Sequence, residues 1–295
     1  MDIRQIRRFV TVADLGSFNR AAQMLSVSQP SLTRSIQMLE AELDARLFER
    51  GAQGVQLTAM GEELLPRARV ILIERDRAMA ALAALRGGGG AERIAIGTDA
   101  SFARHRLPAA LARMAVDDAD ACFHVVEGGT ADLLVALRDG RVSLVLGARA
   151  PWLDLAGVQF EPLAEERASV MLRAGHPLLA QGTPDLAALS RAAWIVPDQD
   201  SLVEGWSQMF IREGLPVPAI TLRTSSLTVI RGALLAGDFI CLGDHSTYAD
   251  ALEDGALIAL DVVSPAYTRP AGLFRRTDTR LSARERKLIA LLRTP

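Results

Sequence analysis

The run Gly87–Gly90 constrains this chain more than any other feature. Four consecutive glycines cannot hold a helix and give a flexible hinge, so they separate a pair of segments that fold by different rules. No Gly-Lys-Ser or Gly-Lys-Thr follows, which excludes a phosphate-binding loop. Ahead of the run, apolar residues recur at helical spacing; behind it, short β-branched runs alternate with helical stretches. A chain of 295 residues, 49 % of them apolar, has the length and the core material for two or three domains.

Ile3, Ile6, Phe9, Val10 and Ala13 predict a first helix, which Gly16 stops. Ser17 is a natural N-cap for a second helix, SFNRAAQML. The tripeptide SVS leads into a third, with Pro30 in its first turn, where the missing N–H costs nothing. Three helices with a tight 25–28 connection make a helix-turn-helix. RLFERGAQGVQLT then predicts two short strands around a Gly-Ala-Gln-Gly turn, a wing. Thr58 caps the long helix that follows, with Glu62 and Glu63 near its positive end. Along that helix Leu64, Ile71, Ala78 and Leu85 recur every seven residues, with Ala68, Arg75 and Leu82 interleaved. This heptad seam predicts a homodimer; Arg75 interrupts it and Pro66 is expected to bend it.

On a wheel of ~100° per residue, the helix 29–43 places Leu32, Ile36, Leu39 and Leu43 on one side. Pro30, Thr33, Arg34 and Gln37 fall opposite. A guanidinium fork, an amide and a hydroxyl with its methyl are the groups that read base edges in a major groove. Ser28 and the helix N-terminus are suited to a phosphate. A polar face is more often merely solvated, and what favours DNA here is its place in the third helix before a wing. Bulk charge gives no help: the chain carries −2 overall, and residues 1–60 hold seven Arg against six Asp and Glu. The two cysteines, Cys122 and Cys241, lie in apolar segments and suit a reducing compartment. The N-terminus MDIRQIRRFV has no apolar leader, and no apolar run reaches membrane-spanning length, so a cytoplasmic protein with no membrane partner is expected.

From Arg93, the runs RIAIG, CFHVVE, SLVLGA, ASVMLR, AWIVP, AITLRT, FICLG and ALIALD alternate with helical stretches, and AGLFRR and SARERKLIALLR close the chain. This is the pattern of a parallel α/β sheet, which binds ligands at the carboxyl ends of its strands. The four histidines (His105, His124, His176, His245) are scattered without metal-ligand spacing, and no nucleophile elbow or Walker loop occurs. Neither a metal, a cofactor nor catalysis is therefore expected.

The stretch 9–65 closely resembles the N-terminal domain of LysR-type transcriptional regulators, through GSF, AAQML, SQPSLTRSIQMLE, LFER and LT-x-x-G in fixed order. The remainder resembles that family's effector domain in layout, with weaker local matches at LP 107–108, VVEGGT and GHPL 175–178. The resemblance implies that Gln29, Pro30, Thr33 and Arg34 contact promoter DNA, and that Arg50 in the wing meets a phosphate or the minor groove. It implies tetramers as well as dimers, and two subdomains like those of periplasmic solute-binding proteins with an inducer between them. Three residues depart from the pattern: Thr33 stands in place of a usual Ser, Asp44 in place of a common Gly, and Gln53 in place of a frequent second wing Arg.

The expected organisation is an α/β protein. A winged helix-turn-helix spans 1–58, a linker helix and hinge 59–90, and an effector domain 91–295, split into 91–161 with 268–295 and 162–267. Thr98, Ser101, Thr130, Ser201 and Ser226 are the hydrogen-bonding candidates in the cleft, and Arg149 the candidate carboxylate clamp. Each hydroxyl is equally suited to capping a helix. Asp99 would repel an acid unless it points away or pairs with Arg104, which leaves a polyol or a ligand carrying both charge signs open. The function expected is ligand-switched control of transcription, exerted through DNA bending or RNA polymerase. The rival readings are a regulator with a vestigial cleft, a solute-binding protein, and an enzyme carrying a DNA-binding module.

Overall fold

The computed structural model describes residues 1–51, 54–85, 93–197, 202–261, 267–277 and 279–293. The Gly87–Gly90 hinge, Gln53 and Ser201 lie outside them. Two compact units divide the chain, one of Met1–Glu92 with Arg138–Arg141 and the other of Arg93–Leu137 and Val142–Pro295.

The first unit holds α1 (Ile3–Leu15), α2 (Phe18–Met24), α3 (Gln29–Leu43), β1 (Phe48–Gly51), β2 (Gly54–Leu57) and α4 (Ala59–Leu85). Asp2 and Gln5 form a capping box at the start of α1, and Gly16 ends it in the left-handed region at φ 59°. Ser17 caps α2 by accepting from Arg20 N–H. Ile6, Phe9, Val12, Ala21, Ala22, Leu32, Ile36, Leu39, Leu47 and Phe48 make the core. The adjacent alanines let the helices approach closely, and Phe48 closes the core with its ring centroid 5.3 Å from that of Phe9. β1 and β2 pair antiparallel, Phe48 opposite Leu57 and Gly51 opposite Gly54, as the wing reading expects.

Leu43 departs from the expected stripe. It is exposed, and Ser35 is buried beside Leu32, Ile36 and Leu39 instead. Leu43 is the last residue of α3, and the chain turns away at Asp44, which sits in the left-handed region at φ 49°. α4 runs as one helix through Pro66. The expected heptad seam divides between two uses: Ala68 is buried and Leu64 and Ile71 pack against the first unit's own core, whereas Ala78 and Leu82 are exposed, as is Met79 beside them.

In the second unit the chain runs β3 (Arg93–Thr98), α5 (Ala100–Arg104), α6 (Arg106–Asp117), β4 (Cys122–Glu127), α7 (Thr130–Arg138) and β5 (Leu144–Ala148). There follow β6 (Val158–Arg173), α8 (Leu186–Leu189), β7 (Ala193–Val196), α9 (Leu202–Arg212), β8 (Ile220–Arg223) and α10 (Leu227–Ala236). The last elements are β9 (Phe239–Asp244), α11 (Ala249–Glu253), β10 (Leu257–Leu260), β11 (Tyr267–Arg276) and α12 (Ala283–Arg293). The strands form one sheet in the order β4-β3-β5-β11-β6-β9-β7-β8, with β10 also paired to β6.

The sheet is mixed, which corrects the parallel reading. β4-β3-β5 and β9-β7-β8 are parallel groups, but β6 and β11 run antiparallel to each other and to their flanking strands. The 16-residue β6 is legible in sequence only in its C-terminal half, where ASVMLR is buried on both faces; QFEPLAEE lacks both alternation and an apolar run. The expected junctions at 161/162 and 267/268 fall within β6 and β11, so the two halves of the sheet share continuous strands.

Each half has its own cores. Ile94, Ile96, Met114, Leu144, Leu146, Leu273 and Leu288 pack in the first; Val170, Leu172, Trp194, Trp206, Phe210 and Ile240 pack in the second, where the three aromatic rings meet edge to face. A polar cluster ties the end of β9 to β6. Ser169 Oγ donates to Asp261 at 2.7 Å and lies 2.8 Å from His245 Nε2, while Arg167 pairs with Asp261. With its proton committed to Asp261, Ser169 accepts from His245, which fixes the proton on Nε2. Burial first, and then the Arg167 charge, hold the imidazole below its ordinary value.

These packing details make two outcomes testable. Asp44→Gly should stabilise the chain by about 1 kcal/mol, since glycine adopts the left-handed cap without a Cβ clash and removes an acid from a helix C-terminus; chemical denaturation of the two proteins checks it. The fold holds His245 below its ordinary value, so as the pH falls through the unfolded value of about 6.5 the unfolded chain takes up a proton more readily than the folded chain, and stability falls on acidification. His245→Gln should flatten that stretch of the thermal-unfolding profile; equal slopes would refute the assignment.

Candidate DNA-reading face and effector cavity

α3 presents its polar face because its other face is committed to the core. Ser28 caps the helix by accepting from Ser31 N–H at 3.4 Å, so its hydroxyl serves the helix first. Gln29, Pro30, Arg34 and Gln37 are exposed and Thr33 half-buried. Gln29 Nε2 donates to Thr33 Oγ1 at 2.9 Å, so the amide and the hydroxyl are held together as one surface. Arg34 is exposed and makes no ion pair or hydrogen bond among the described residues. The backbone of Arg50 lies in β1 opposite Val55.

Sequence reasoning missed the groups that position this face. Glu40, on α3, accepts from Leu47 N–H at 2.7 Å and Phe48 N–H at 3.2 Å, pinning the wing's first strand to the recognition helix. Thr58 donates to Arg46 O at 2.6 Å and accepts from Gly61 N–H at 3.1 Å, so it caps α4 as expected and ties it to the same segment. Gly61 is required there: a Cβ would collide with the Leu47 carbonyl oxygen. The LT-x-x-G spacing thus has a steric cause.

The second unit encloses a cavity of about 370 Å³ between loops from both halves of its sheet. From the first half come Asp99, Ala100, Ser101, Glu127, Gly128, Gly129 and Thr130. Pro197, Ser225, Leu227, Ile230, Asp244, Thr247 and Tyr248 come from the second, and Arg269 from β11. The expected carboxyl-end loops of β3, β4, β7 and β8 are therefore all represented.

Ser101 and Thr130 line the cavity as expected, but three other candidates do not. Thr98 is fully buried, its hydroxyl donating to the Asp99 carbonyl at 3.0 Å. Ser226 is exposed and caps α10 through Val229 N–H, leaving its neighbour Ser225 at the wall. Arg149 is exposed, its guanidinium carbon 5.5 Å from the centre of the Phe160 ring. Among the described residues that line the cavity the cation is Arg269, and its sequence context, YTRPAG, carries no signal of that.

Asp99 does not pair with Arg104, which pairs with Asp250 instead. Asp99 Oδ1 accepts from the Ser101 hydroxyl at 2.6 Å and from Ser101 and Phe102 N–H, capping α5; Oδ2 accepts from Ala148 N–H at 2.8 Å. Burial nevertheless pushes the Asp99 carboxyl above its ordinary value. Glu166, behind the wall, is raised chiefly by burial against the opposing Ser246 hydrogen bond, with the Asp99 charge adding to the rise. Arg269 sits opposite Glu166 in the β6–β11 register and meets Asp244 at 2.5 Å.

Ser169 and His245 have the separation of a nucleophile and its base, but the hydroxyl is 1 % exposed and its proton belongs to Asp261, so it is no nucleophile. Among the described residues no group of three His, Cys, Asp or Glu side chains is placed to hold a metal. None of the described helices is long and apolar enough to cross a membrane.

Two family models match: the LysR-family bacterial regulatory helix-turn-helix protein over residues 3–62, and the LysR substrate binding domain over 87–294. The transcriptional regulator PcaQ of Agrobacterium fabrum is 30 % identical over 280 residues, covering 95 % of this chain and 90 % of that protein. The structure of a full-length OxyR variant from Pseudomonas aeruginosa superposes with a TM-score of 0.70 at 22 % identity, covering 100 % of this chain and 95 % of the other. Full-length CbnR in complex with its target DNA superposes at 0.67 and 22 % identity, covering 99 % of each. With both models matched in the order the two units predict, the chain belongs to the LysR family: it is a DNA-binding transcriptional regulator with an effector-binding domain, and not an enzyme.

Proposed function

We propose that α3 reads promoter DNA through Gln29, Pro30, Thr33, Arg34 and Gln37, with Ser28 and Arg50 at flanking phosphates or the minor groove. The observation that carries this is the unengaged Arg34 guanidinium on a helix whose opposite face packs Leu32, Ile36 and Leu39 into the core. Two copies pair through the exposed second half of α4, around Met79 and Leu82, and present two recognition helices to successive major grooves of an inverted repeat. The tetramer implied by the family resemblance adds contacts between effector domains, and RNA polymerase is the partner through which the switch acts, in the cytoplasm.

The effector occupies the 370 Å³ cavity, held by Ser101, Thr130, Ser225 and Thr247, with Arg269 and Asp244 as the charged groups. Because both halves of the sheet supply its wall, an effector that fits one arrangement of the halves better than another shifts their balance, and with it the assembly on DNA.

Arg34→Ala should cost ~1–3 kcal/mol on the specific promoter site and relax sequence preference there. Gel shifts on specific and mismatched sites measure both, and unchanged affinity on the two would sink the assignment. Ser225→Trp, at an exposed rim position, should fill the cavity, keep DNA affinity, and abolish the effector response of a promoter reporter. An intact response would place the effector elsewhere.

A further inference from the structure

We infer that the second unit carries an oxyanion site outside its cavity, formed by Arg104, His105 and Arg231, whose ligand is a phosphate group, free or borne by a small ester. None of these side chains lines the cavity, so the site is separate from the one proposed for the effector.

Three segments that line the cavity carry these groups one turn further on. α5 gives Ala100 and Ser101 to the wall and ends at Arg104, with His105 next. α10 gives Leu227 and Ile230 and then bears Arg231, which shares a helix face with Leu227 four residues before it. The turn that gives Thr247 and Tyr248 leads into α11 and Asp250. Asp250 is the acid at this place: Arg104 Nη2 donates to its Oδ2, and His105 Nε2 lies 3.5 Å from its Oδ1. A nitrogen facing a carboxylate oxygen at that range carries the imidazole proton, so His105 presents a donor here.

Positive charge is in excess. Two guanidinium groups stand against one carboxylate, and His105 adds a third charge whenever it takes up a second proton. Asp250 registers this, being held below its ordinary range first by the Arg104 hydrogen bond and then by the charges of Arg104, His105 and Arg231. One carboxylate serves Arg104 and leaves Arg231 over. Arg231 is half-buried and makes no ion pair or hydrogen bond among the described residues. The Nε atoms of Arg231 and of Arg104 are both enclosed without a partner. A partly desolvated guanidinium with no acceptor is one member of an unfilled pair.

The shape of the donor set selects the ligand. Guanidinium forks match the oxygens of carboxylate and phosphate. A planar carboxylate is already supplied by Asp250 and does not engage Arg231 by hydrogen bond. A tetrahedral dianion sends oxygens in several directions and can take Arg231 together with Arg104 and His105. It then competes with Asp250, so its binding loosens the link that Arg104 makes to α11.

The test is calorimetric titration and thermal unfolding of the full chain with inorganic phosphate and with glycerol 3-phosphate, against chloride at matched ionic strength. Phosphate should raise the unfolding temperature where chloride does not. Arg231→Gln should weaken phosphate by at least about tenfold. Asp250→Asn should tighten it by roughly threefold, because the competing carboxylate is gone. Opposite signs from neighbouring positions are not expected of residues that merely support the fold. Asp250 is partly exposed, so its variant decides the matter even where Arg231→Gln folds poorly. Ser225→Trp should leave phosphate binding unchanged. Four results overturn the site: no effect beyond that of chloride, a folded Arg231→Gln that binds as tightly, an Asp250→Asn that binds no tighter, or binding lost in Ser225→Trp, which would put the anion in the cavity. The ester identifies the source: binding as tight as that of the free ion or tighter makes the ligand a phosphorylated metabolite, and weaker binding makes it phosphate itself.

Discussion

The antiparallel ribbon of β6 and β11 is the constraint on which the effector domain depends. Its register slips between Ala271 and Gly272, where Leu163 is left without a Cα partner. Gly272 permits that bulge because a Cβ would collide with the Glu161 carbonyl. On one side of the slip β11 pairs with β5 over Ala271–Phe274; beyond it β6 pairs with β9 over Ala168–Leu172. One bent ribbon therefore feeds both parallel groups. It also carries Arg269, Glu166 and Ser169 to the region between them, so the cavity's arginine and the polar residues behind it are placed by strand register, whereas the other polar residues of the wall come from loops and helix starts.

In the DNA-binding unit the corresponding constraint is Glu40. Its carboxylate faces the backbone N–H groups of Leu47 and Phe48, so α3 and the wing move as one body, and Thr58 with Gly61 locks α4 to the same segment. Residues 1–60 hold seven Arg against six acids, which gives little bulk attraction for DNA. Specificity must then come from the geometry of a few side chains, which is what a rigid seat for α3 supplies.

What is legible in the sequence is local. Caps at Ser17, Ser28 and Thr58, the stop at Gly16 and the wing pairing all follow from residue chemistry within four or five positions. The antiparallel ribbon is not legible, because QFEPLAEE carries polar and charged residues at positions that tertiary pairing alone makes a strand. The sequence points to Arg149 and passes over Arg269 for one reason. Both lie beside apolar or aromatic runs, and only the long-range register decides which guanidinium faces the cavity. Leu43 leaves its stripe for a different cause: helical periodicity holds only while the helix lasts, and α3 ends there.

The two halves of the sheet are also joined across the cavity. Arg104 on α5 pairs with Asp250 on α11, and His105 Nε2 lies 3.5 Å from the same carboxylate. Asp250 is held below its ordinary range chiefly by the Arg104 hydrogen bond. Its side chain is 46 % exposed, and pairs of that kind contribute about 0–1 kcal/mol. Such a link biases the arrangement of the halves without fixing it, whereas a ligand at 100 times its Kd contributes ~2.7 kcal/mol to the state it prefers. The ligand outweighs the latch. That ordering of magnitudes is what a switch requires: protein contacts strong enough to define a bound-like arrangement, and weak enough that occupancy decides whether it prevails.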